Sequence, residues 1–145
     1  MPNWCMNSLY IRGNKKQIEK FKTKAKAEDT DLSMDNIIPQ PRKADGDISD
    51  DWYDWRCENW GTKWDIEAHL RTEDNELLEY QFDSAWAPPT QFLVLASKLF
   101  KKLSFQIKYD EPGMGFFGLF RAKKGFVVED SYTESSEFWS EEIEK

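Results

Sequence analysis

Histidine and cysteine are scarce in this sequence of 145 residues, which contains one histidine and two cysteines. Cys5 and Cys57 stand far apart in no paired motif, and no cysteine and histidine spacing is typical of a zinc site. His69 alternates with apolar residues, so we expect it at the surface. We predict that the protein binds no metal or other cofactor. We also predict that both thiols are free and buried, because disulfides are rare in the reducing cytoplasm.

Long apolar segments are absent as well. The most apolar stretch, residues 92–96, is far shorter than the roughly 20 residues that a membrane-spanning helix needs. Residues 1–7 include neither the basic region nor the apolar region of a signal peptide. These absences favour a cytoplasmic protein without a membrane partner.

Motifs of common catalytic and ligand-binding classes are also absent. The glycines form no phosphate-binding or dinucleotide-binding fingerprint. Asp45-Gly46-Asp47 begins like a calcium loop, but Ser49, Asp50 and Arg56 stand where a ligand, a glycine and a glutamate are expected. Carboxylates are too frequent for a pair of them to indicate a glycosidase. No residue is therefore predicted to be catalytic, and an enzyme is the less favoured class.

Charged and aromatic residues are abundant, at 32% and 15% of the chain, and the net charge is −7. The aromatic content argues against disorder, because disordered chains are poor in aromatic residues. The length suits one domain with an ordinary hydrophobic core. We predict a single domain over residues 1–130 with an insertion at residues 28–64, followed by an acidic tail at residues 131–145.

The charge is divided among three segments. Residues 12–28 hold seven basic and two acidic side chains, residues 45–58 hold six acidic and one basic, and residues 129–145 hold seven acidic and one basic. Solvation alone explains a basic helix face and an acidic tail. The alternatives are attraction between the segments and a partner docked on one of them. The acidic balance opposes attraction to nucleic-acid phosphates, so nucleic acid is an unfavoured partner.

The periodicity of apolar residues predicts six strands and three helices. The predicted strands cover residues 4–12, 66–71, 77–86, 104–110, 116–122 and 126–128. The predicted helices are residues 15–26 after an Asn14 cap, residues 51–60 ending at Gly61, and a segment opened by Pro88-Pro89-Thr90. The expected core face of this last helix is Phe92, Leu93, Leu95, Ala96, Leu99 and Phe100.

The order of these elements predicts the fold class. A β-α-β-β-α-β frame is typical of the ferredoxin-like split β-α-β plan, an α+β fold in which helices cover one face of an antiparallel sheet. A tryptophan-rich segment is inserted between the first helix and the second strand, and extra strands follow the frame at the C-terminal side.

Tryptophan is unusually frequent, with seven residues in the chain and four of them within residues 52–64. Its large apolar area and single donor suit both a core and an interface. We expect Trp64 and Trp86 to be mostly buried between the insertion and the sheet, and Asp65 to accept hydrogen bonds from amides of the turn that Gly61 opens. In the alternative hypothesis, one concavity is surrounded by Trp60, Trp64, Trp86, Tyr109 and Glu111. The candidate binding residues are Trp52, Trp55, Trp60, Trp64, Asp65, Trp86, Tyr109 and Glu111.

Several short runs resemble one family. They are Met1-Pro2-Asn3-Trp4-Cys5, Asn59-Trp60-Gly61-Thr62-Lys63-Trp64-Asp65, Ser84-Ala85-Trp86-Ala87-Pro88-Pro89, Tyr109-Asp110-Glu111-Pro112-Gly113 and Phe117-Gly118. Across residues 1–120 these runs are similar to the YubB-like proteins of bacterial plasmids and phages. The resemblance implies a ferredoxin-like domain and a mobile-element origin, and it brings no established activity. The acidic tail after Glu129 lies outside the pattern.

These observations favour a non-catalytic binding module, encoded by a mobile genetic element, that acts on a host protein through its acidic and aromatic surfaces. Complementary charge would let it act as an acidic nucleic-acid mimic or an anti-defence factor. The alternative is a small-ligand-binding protein or a minor enzyme with a tryptophan-lined cleft. RNA binding is less favoured, because Gly113-Met114-Gly115-Phe116-Phe117 matches only part of an RNP1 motif.

Overall fold

The computed structural model describes residues 3–134. In this range the chain forms six strands and four helices. They are β1 (Trp4–Arg12), α1 (Lys15–Ala25), α2 (Met34–Ile37), α3 (Trp52–Asn59), β2 (His69–Glu73), β3 (Leu77–Ala85), α4 (Thr90–Leu99), β4 (Ser104–Glu111), β5 (Phe116–Lys123) and β6 (Phe126–Glu134). No helix within residues 3–134 is long and apolar enough to cross a membrane.

The strands form one antiparallel sheet in the order β2-β3-β1-β4-β5-β6. The first four strands follow the ferredoxin-like plan, and the β5–β6 hairpin extends the sheet beyond β4. The predicted α+β class is therefore confirmed. β1 lies at the centre because alternate side chains of this strand are apolar: Cys5, Leu9 and Ile11 are buried, while Met6 and Arg12 face outward.

Helices α1 and α4 cover one face of the sheet. In α1 the side chains of Ile18, Phe21 and Ala25 are buried, and the Asn14 side chain accepts a hydrogen bond of 3.0 Å from the Gln17 amide, as the predicted cap requires. In α4 the side chains of Phe92, Leu93 and Ala96 are buried.

The core face predicted for α4 is wrong at its last turn. Leu99 is 58% exposed. The neighbouring Phe100 turns inward instead, and its ring lies 5.2 Å from the ring of Phe21, centroid to centroid, in an edge-to-face contact. Because Phe100 fills the space between the two helices, Leu99 is left at the surface.

The boundaries of two predicted strands also differ. β2 begins at His69 and not at residue 66, because the backbone of Ala68 forms its hydrogen bonds with the insertion. The Ala68 oxygen accepts a hydrogen bond of 3.0 Å from the Asp31 amide, and the Ala68 amide donates one of 2.7 Å to Thr30 Oγ1. β6 is longer than predicted and ends at Glu134. Its outer half is polar on both faces, so it carries no alternation that a sequence pattern could detect.

The insertion is fastened to the core by its apolar side chains. Leu32, Met34 and Ile37 are fully buried, and the last two belong to the single turn of α2. Burial of these side chains places the following residues, including α3, against the same side of the domain as α4.

Two substitutions on α4 test this packing. We expect Leu93→Ala to reduce the free energy of unfolding by about 2–5 kcal/mol, because it removes a fully buried side chain and leaves a cavity. The matched control Leu99→Ala should cost less than about 1 kcal/mol, because Leu99 is exposed. Urea unfolding of both variants measures the difference. Equal losses would contradict the described orientation of α4.

Candidate functional site

The tryptophans of the described range divide between the core and the surface. Trp60 is fully buried and Trp55 is half-buried. The exposed ones are Trp4, Trp52, Trp64 and Trp86. The prediction that Trp64 and Trp86 are mostly buried is wrong, because 37% and 48% of these residues are exposed.

Trp60 joins the insertion to the main domain. Its Nε1 donates a hydrogen bond of 3.0 Å to the Ile38 oxygen, and its backbone oxygen accepts one of 3.3 Å from the Phe92 amide at the start of α4. Its ring lies 5.5 Å from that of Trp55 in an edge-to-face contact. Trp60 therefore contributes to packing, with its one polar atom satisfied inside the fold.

The turn after Trp60 packs closely against the start of α4 and the end of β3. Gly61 has φ +86°, and a Cβ on it would lie 3.2 Å from the Thr90 amide nitrogen. The Thr62 hydroxyl donates to the Ala85 oxygen at 2.9 Å and is buried. Because backbone meets backbone here, the two indole rings are directed outward.

Trp86 has an uncommon backbone conformation, with φ +68°. A bulky residue in this region costs roughly 1–3 kcal/mol and needs support from its surroundings. That support is a hydrogen bond of 2.8 Å from the Trp86 amide to the Asn3 oxygen and one of 2.6 Å from the Ser84 hydroxyl to the Ala87 oxygen. These hydrogen bonds hold the backbone of Trp86 at the end of β3.

Lys63 lies against both exposed rings. Its Nζ is 4.5 Å from the ring centroid of Trp64 and 4.2 Å from that of Trp86, within the range of a cation–π contact. The ring of Trp4 packs against Trp64 at 6.0 Å, with a tilt of 42°. We call Lys63, Trp64 and Trp86 the lysine clamp.

Arg56 connects the lysine clamp to α3. Its guanidinium lies 4.9 Å from the ring of Trp52 and 5.5 Å from that of Trp60, while its Nη1 donates to the Lys63 oxygen at 3.2 Å. Its Nε donates to Gln40 Oε1 at 2.9 Å. Desolvation lowers the pKa of the Arg56 guanidinium below its ordinary value.

Asp65 serves a different turn from the one predicted. Its carboxylate accepts hydrogen bonds from the Ser33 hydroxyl at 2.9 Å, the Met34 amide at 2.8 Å and the Asp35 amide at 3.1 Å. The expectation that it bonds amides of the turn opened by Gly61 is wrong. These donors lie at the start of α2, where a negative charge is favourable, so Asp65 holds the insertion to the segment before β2.

Tyr109 and Glu111 lie on the helix-covered side of β4. Glu111 is fully buried, and its carboxylate accepts hydrogen bonds from the Gly113 and Met114 amides of the following turn. Burial raises the pKa of the Tyr109 phenol to about 12. A Cβ on Gly118 would overlap the Tyr109 hydroxyl and the Ser131 backbone oxygen, so this position has no room for a side chain.

The structure does not bring the five residues of the alternative hypothesis to one concavity. Trp60 and Glu111 are fully buried and Tyr109 is nearly so, whereas Trp64 and Trp86 are exposed. The sequence pattern identified these five residues as candidates, but it did not indicate whether each side chain points into the core or toward solvent.

A groove lies at the start of β1, beside Trp4. Its volume is about 580 Å³. It is lined by Trp4, Asp65, Glu67, His69, Gln81, Phe82 and Asp83. Trp4 is the one tryptophan among these described lining residues, so this groove differs from the tryptophan-lined cleft of the alternative hypothesis. His69 is exposed, as expected.

Residues 45–58 form an exposed acidic and aromatic segment. None of the eight residues of α3 is buried, and Trp52 and Tyr53 are 37% and 44% exposed. Asp47, Asp54 and Glu58 are exposed and make no hydrogen bond or ion pair through their side chains within residues 3–134. We call residues 45–58 the acidic segment.

The three charged segments do not all attract one another. In the described range Lys22 of the basic helix pairs with Glu73 of β2, and Lys43 pairs with Asp50 at 2.8 Å. None of the ion pairs within residues 3–134 joins α1 to the acidic segment. The acidic tail lies outside the described residues from Ser135 onward.

Histidine, cysteine and carboxylate side chains are the relevant metal ligands in the described part of the chain. Within residues 3–134 no group of three or more histidine, cysteine, aspartate or glutamate side chains is placed to hold a metal ion. Cys5 and Cys57 are both free, as predicted, but only Cys5 is buried. Cys57 is exposed because it belongs to α3, which buries none of its residues.

Together these features define a ferredoxin-like α+β domain with an extended sheet and an exposed acidic and aromatic surface. The model of a family described as "Ferredoxin-like domain in Api92-like protein" matches residues 59–145. Because the match covers more than half of the chain, the protein belongs to this family. The more specific resemblance to YubB-like proteins stays a prediction.

A solved structure is also similar to the chain. It is the crystal structure of protein api92 from Yersinia pseudotuberculosis, with 25% sequence identity and a TM-score of 0.44. The similarity covers 57% of this chain and 29% of that one, so the chain spans less than a third of that protein. No curated protein matches the sequence.

Sequence reasoning missed Lys63, Arg56 and Trp4 as members of this surface. The signal for Lys63 is its place directly before Trp64, within the tryptophan-containing run of residues 59–65. Trp4 occupies an outward position in the alternation of β1. No pattern in the neighbouring sequence indicates the hydrogen bond from Arg56 to the Lys63 oxygen, because that hydrogen bond depends on how α3 ends.

The role of Asp65 can be tested by its removal. We expect Asp65→Ala to reduce the free energy of unfolding by about 1–3 kcal/mol, because it leaves partly buried donors of α2 without an acceptor. Asp83→Ala is the control, because the exposed Asp83 side chain has no hydrogen bond or ion pair in the described range, and it should cost less than about 0.5 kcal/mol. Denaturant unfolding distinguishes the two. A loss for Asp65→Ala as small as for the control would refute the capping role.

The thiols should differ in reactivity. Burial raises the pKa of the Cys5 thiol to about 12, and the thiolate is the reactive form. We expect a disulfide reagent such as dithionitrobenzoate to modify one thiol per chain quickly at pH 8 and the second only after unfolding. Cys57→Ser should remove the fast reaction. Two fast thiols in the native protein would show that Cys5 is accessible.

Proposed function

We propose that the protein is a non-catalytic binding module whose acidic segment docks on a basic surface of a bacterial host protein. The single observation that carries this proposal is the exposure of α3. An amphipathic helix normally buries its apolar stripe, whereas α3 keeps Trp52 and Tyr53 at the surface. Exposed aromatic side chains grouped on one element are typical of interfaces.

The charges around these rings favour a basic partner. Asp47, Asp54 and Glu58 are exposed and unpaired within residues 3–134, so their carboxylates are available to a partner's cations. A surface with one sign of charge speeds encounter with an oppositely charged surface and disfavours partners of like charge. The expectation that nucleic acid is not the partner follows from the same charges.

The aromatic part of the acidic segment is held in place before binding. The Arg56 guanidinium lies against Trp52, and its hydrogen bonds to Gln40 and to the Lys63 oxygen fix its own position. The ring of Tyr53 packs against that of Trp52 at 5.8 Å. Such preorganisation lowers the entropy that is lost when a partner binds.

A host protein that binds nucleic acid offers the basic surface that this proposal needs. We propose that the acidic segment imitates nucleic-acid charge and occupies such a protein, as an anti-defence factor would. The resemblance to YubB-like proteins of plasmids and phages supports a mobile-element origin, in which interference with a cytoplasmic host protein is useful. The fold alone carries no part of this proposal, because ferredoxin-like domains serve many functions.

The experiment compares two variants of equal net charge. Asp47→Asn/Asp54→Asn/Glu58→Gln removes three exposed charges from the acidic segment. Glu28→Gln/Glu76→Gln/Asp130→Asn removes three exposed charges elsewhere, also from side chains without a partner in residues 3–134. Each protein is immobilised and used to capture partners from a bacterial lysate at 50 and 300 mM salt, with duplex DNA as a competitor.

We expect the first variant to lose at least tenfold in capture of the partner and to show a weaker salt dependence, because fewer charges are screened. The control variant should behave as the wild type. Duplex DNA should release the partner, since both compete for one basic surface. Equal capture by the two variants, or capture that DNA leaves unchanged, would contradict the proposal.

The acidic tail provides a second comparison. We expect glutamine at Glu134, Glu137, Glu141, Glu142 and Glu144 to weaken capture less than neutralisation of the acidic segment does. The reason is that the acidic segment combines its charges with exposed aromatic rings, and aromatic anchors carry much of the energy of an interface. In the same capture assay, a larger loss for the tail variant would show that the recognition surface lies on the tail.

A further inference from the structure

The lysine clamp shows a cation already bound between two indole faces. The Lys63 ammonium lies 4.2 Å from the ring centroid of Trp86 and 4.5 Å from that of Trp64. Within residues 3–134 Lys63 makes no ion pair, and its Nζ donates no hydrogen bond to a side chain or backbone oxygen. The two rings are therefore the immediate partners of this charge among the described residues.

The walls of the clamp are fixed independently of Lys63. Trp86 is held by the hydrogen bond of its amide to Asn3 in a backbone conformation that few tryptophans adopt. The ring of Trp64 contacts the ring of Trp4, at 6.0 Å. Neither of these contacts involves the lysine side chain.

The clamp is also open to exchange. Trp64 and Trp86 are 37% and 48% exposed, so a cation from outside can reach both rings. The lysine side chain is long and flexible, and an exposed cation–π contact is weak. The carboxylates of Asp65 and Asp83 line the neighbouring groove, which also includes Trp4.

We infer that Trp64 and Trp86 form a binding site for one lysine or arginine side chain of a partner protein, and that Lys63 is an internal occupant which this side chain displaces. Aromatic faces that enclose an ammonium group are a known means of recognising cations in water. The site goes beyond the proposed docking of the acidic segment, because it can bind a small cation when no partner is present.

Tetramethylammonium is a suitable probe, because it carries the charge of an ammonium group and cannot form hydrogen bonds. Its binding is followed by the NMR signals of the tryptophan indole N–H groups, with sodium chloride added to keep the ionic strength constant. The proteins are the wild type, Lys63→Ala, Lys63→Ala/Trp86→Leu and the control Lys108→Ala. Lys108 is a matched control because its Nζ lies 5.9 Å from the ring of Tyr10, outside the clamp.

We expect Lys63→Ala to bind tetramethylammonium with a Kd at least fivefold lower than that of the wild type, with saturable shifts of the Trp64 and Trp86 signals. Lys108→Ala should retain the wild-type Kd, and Lys63→Ala/Trp86→Leu should lose saturable binding. The backbone amide spectrum of each variant verifies its fold. tert-Butanol, which is similar in size but uncharged, should cause no saturable shift.

Equal Kd values for Lys63→Ala and the wild type would overturn the inference, as would shifts centred on Trp52 or equal binding of tert-butanol. These outcomes concern the clamp alone. A failure of the acidic segment to capture a partner would leave them unchanged, so the inference and the proposed function can fail separately.

Discussion

The burial of Trp60 is the interaction on which the surface of this protein depends. Its ring is enclosed, its Nε1 donates to Ile38, and its backbone oxygen accepts from Phe92 of α4. These contacts determine where α3 ends and where the turn of residues 61–64 begins. Arg56 lies against the Trp60 ring, and Lys63 and Trp64 belong to that turn, so a fully buried tryptophan adjoins residues that stay in contact with water.

This arrangement explains why a single run of sequence serves both stability and recognition. Residues 59–65 contain the buried Trp60, the positive φ of Gly61, the buried Thr62 hydroxyl, the half-buried Lys63, the exposed Trp64 and the capping carboxylate of Asp65. Burial of Trp60 and the hydrogen bonds of Thr62 and Asp65 stabilise the turn. The side chains between them are directed to solvent by the same backbone, and thus remain available to a partner.

Local periodicity was sufficient to predict most of the fold. β1, the β2–β3 hairpin, α1 and α4 follow apolar patterns of period 2 or 3.6, and their order defines the ferredoxin-like plan. The surface was harder to predict, because side-chain direction there depends on contacts distant in sequence. Asp65 caps a turn about thirty residues earlier, and the exposed Trp86 has a φ of +68°. Neither property has a signature in the residues nearby.

Hydrogen exchange of the tryptophan indole N–H groups, followed by NMR in the free protein, tests this account most directly. The account predicts slow exchange for Trp60, whose Nε1 is buried and bonded to Ile38, and exchange near that of free tryptophan for Trp52, Trp64 and Trp86. Rapid exchange of Trp60 would show that it does not anchor the insertion. Strong protection of Trp64 and Trp86 would show that these rings are buried and belong to the core, which would contradict a recognition surface built on them.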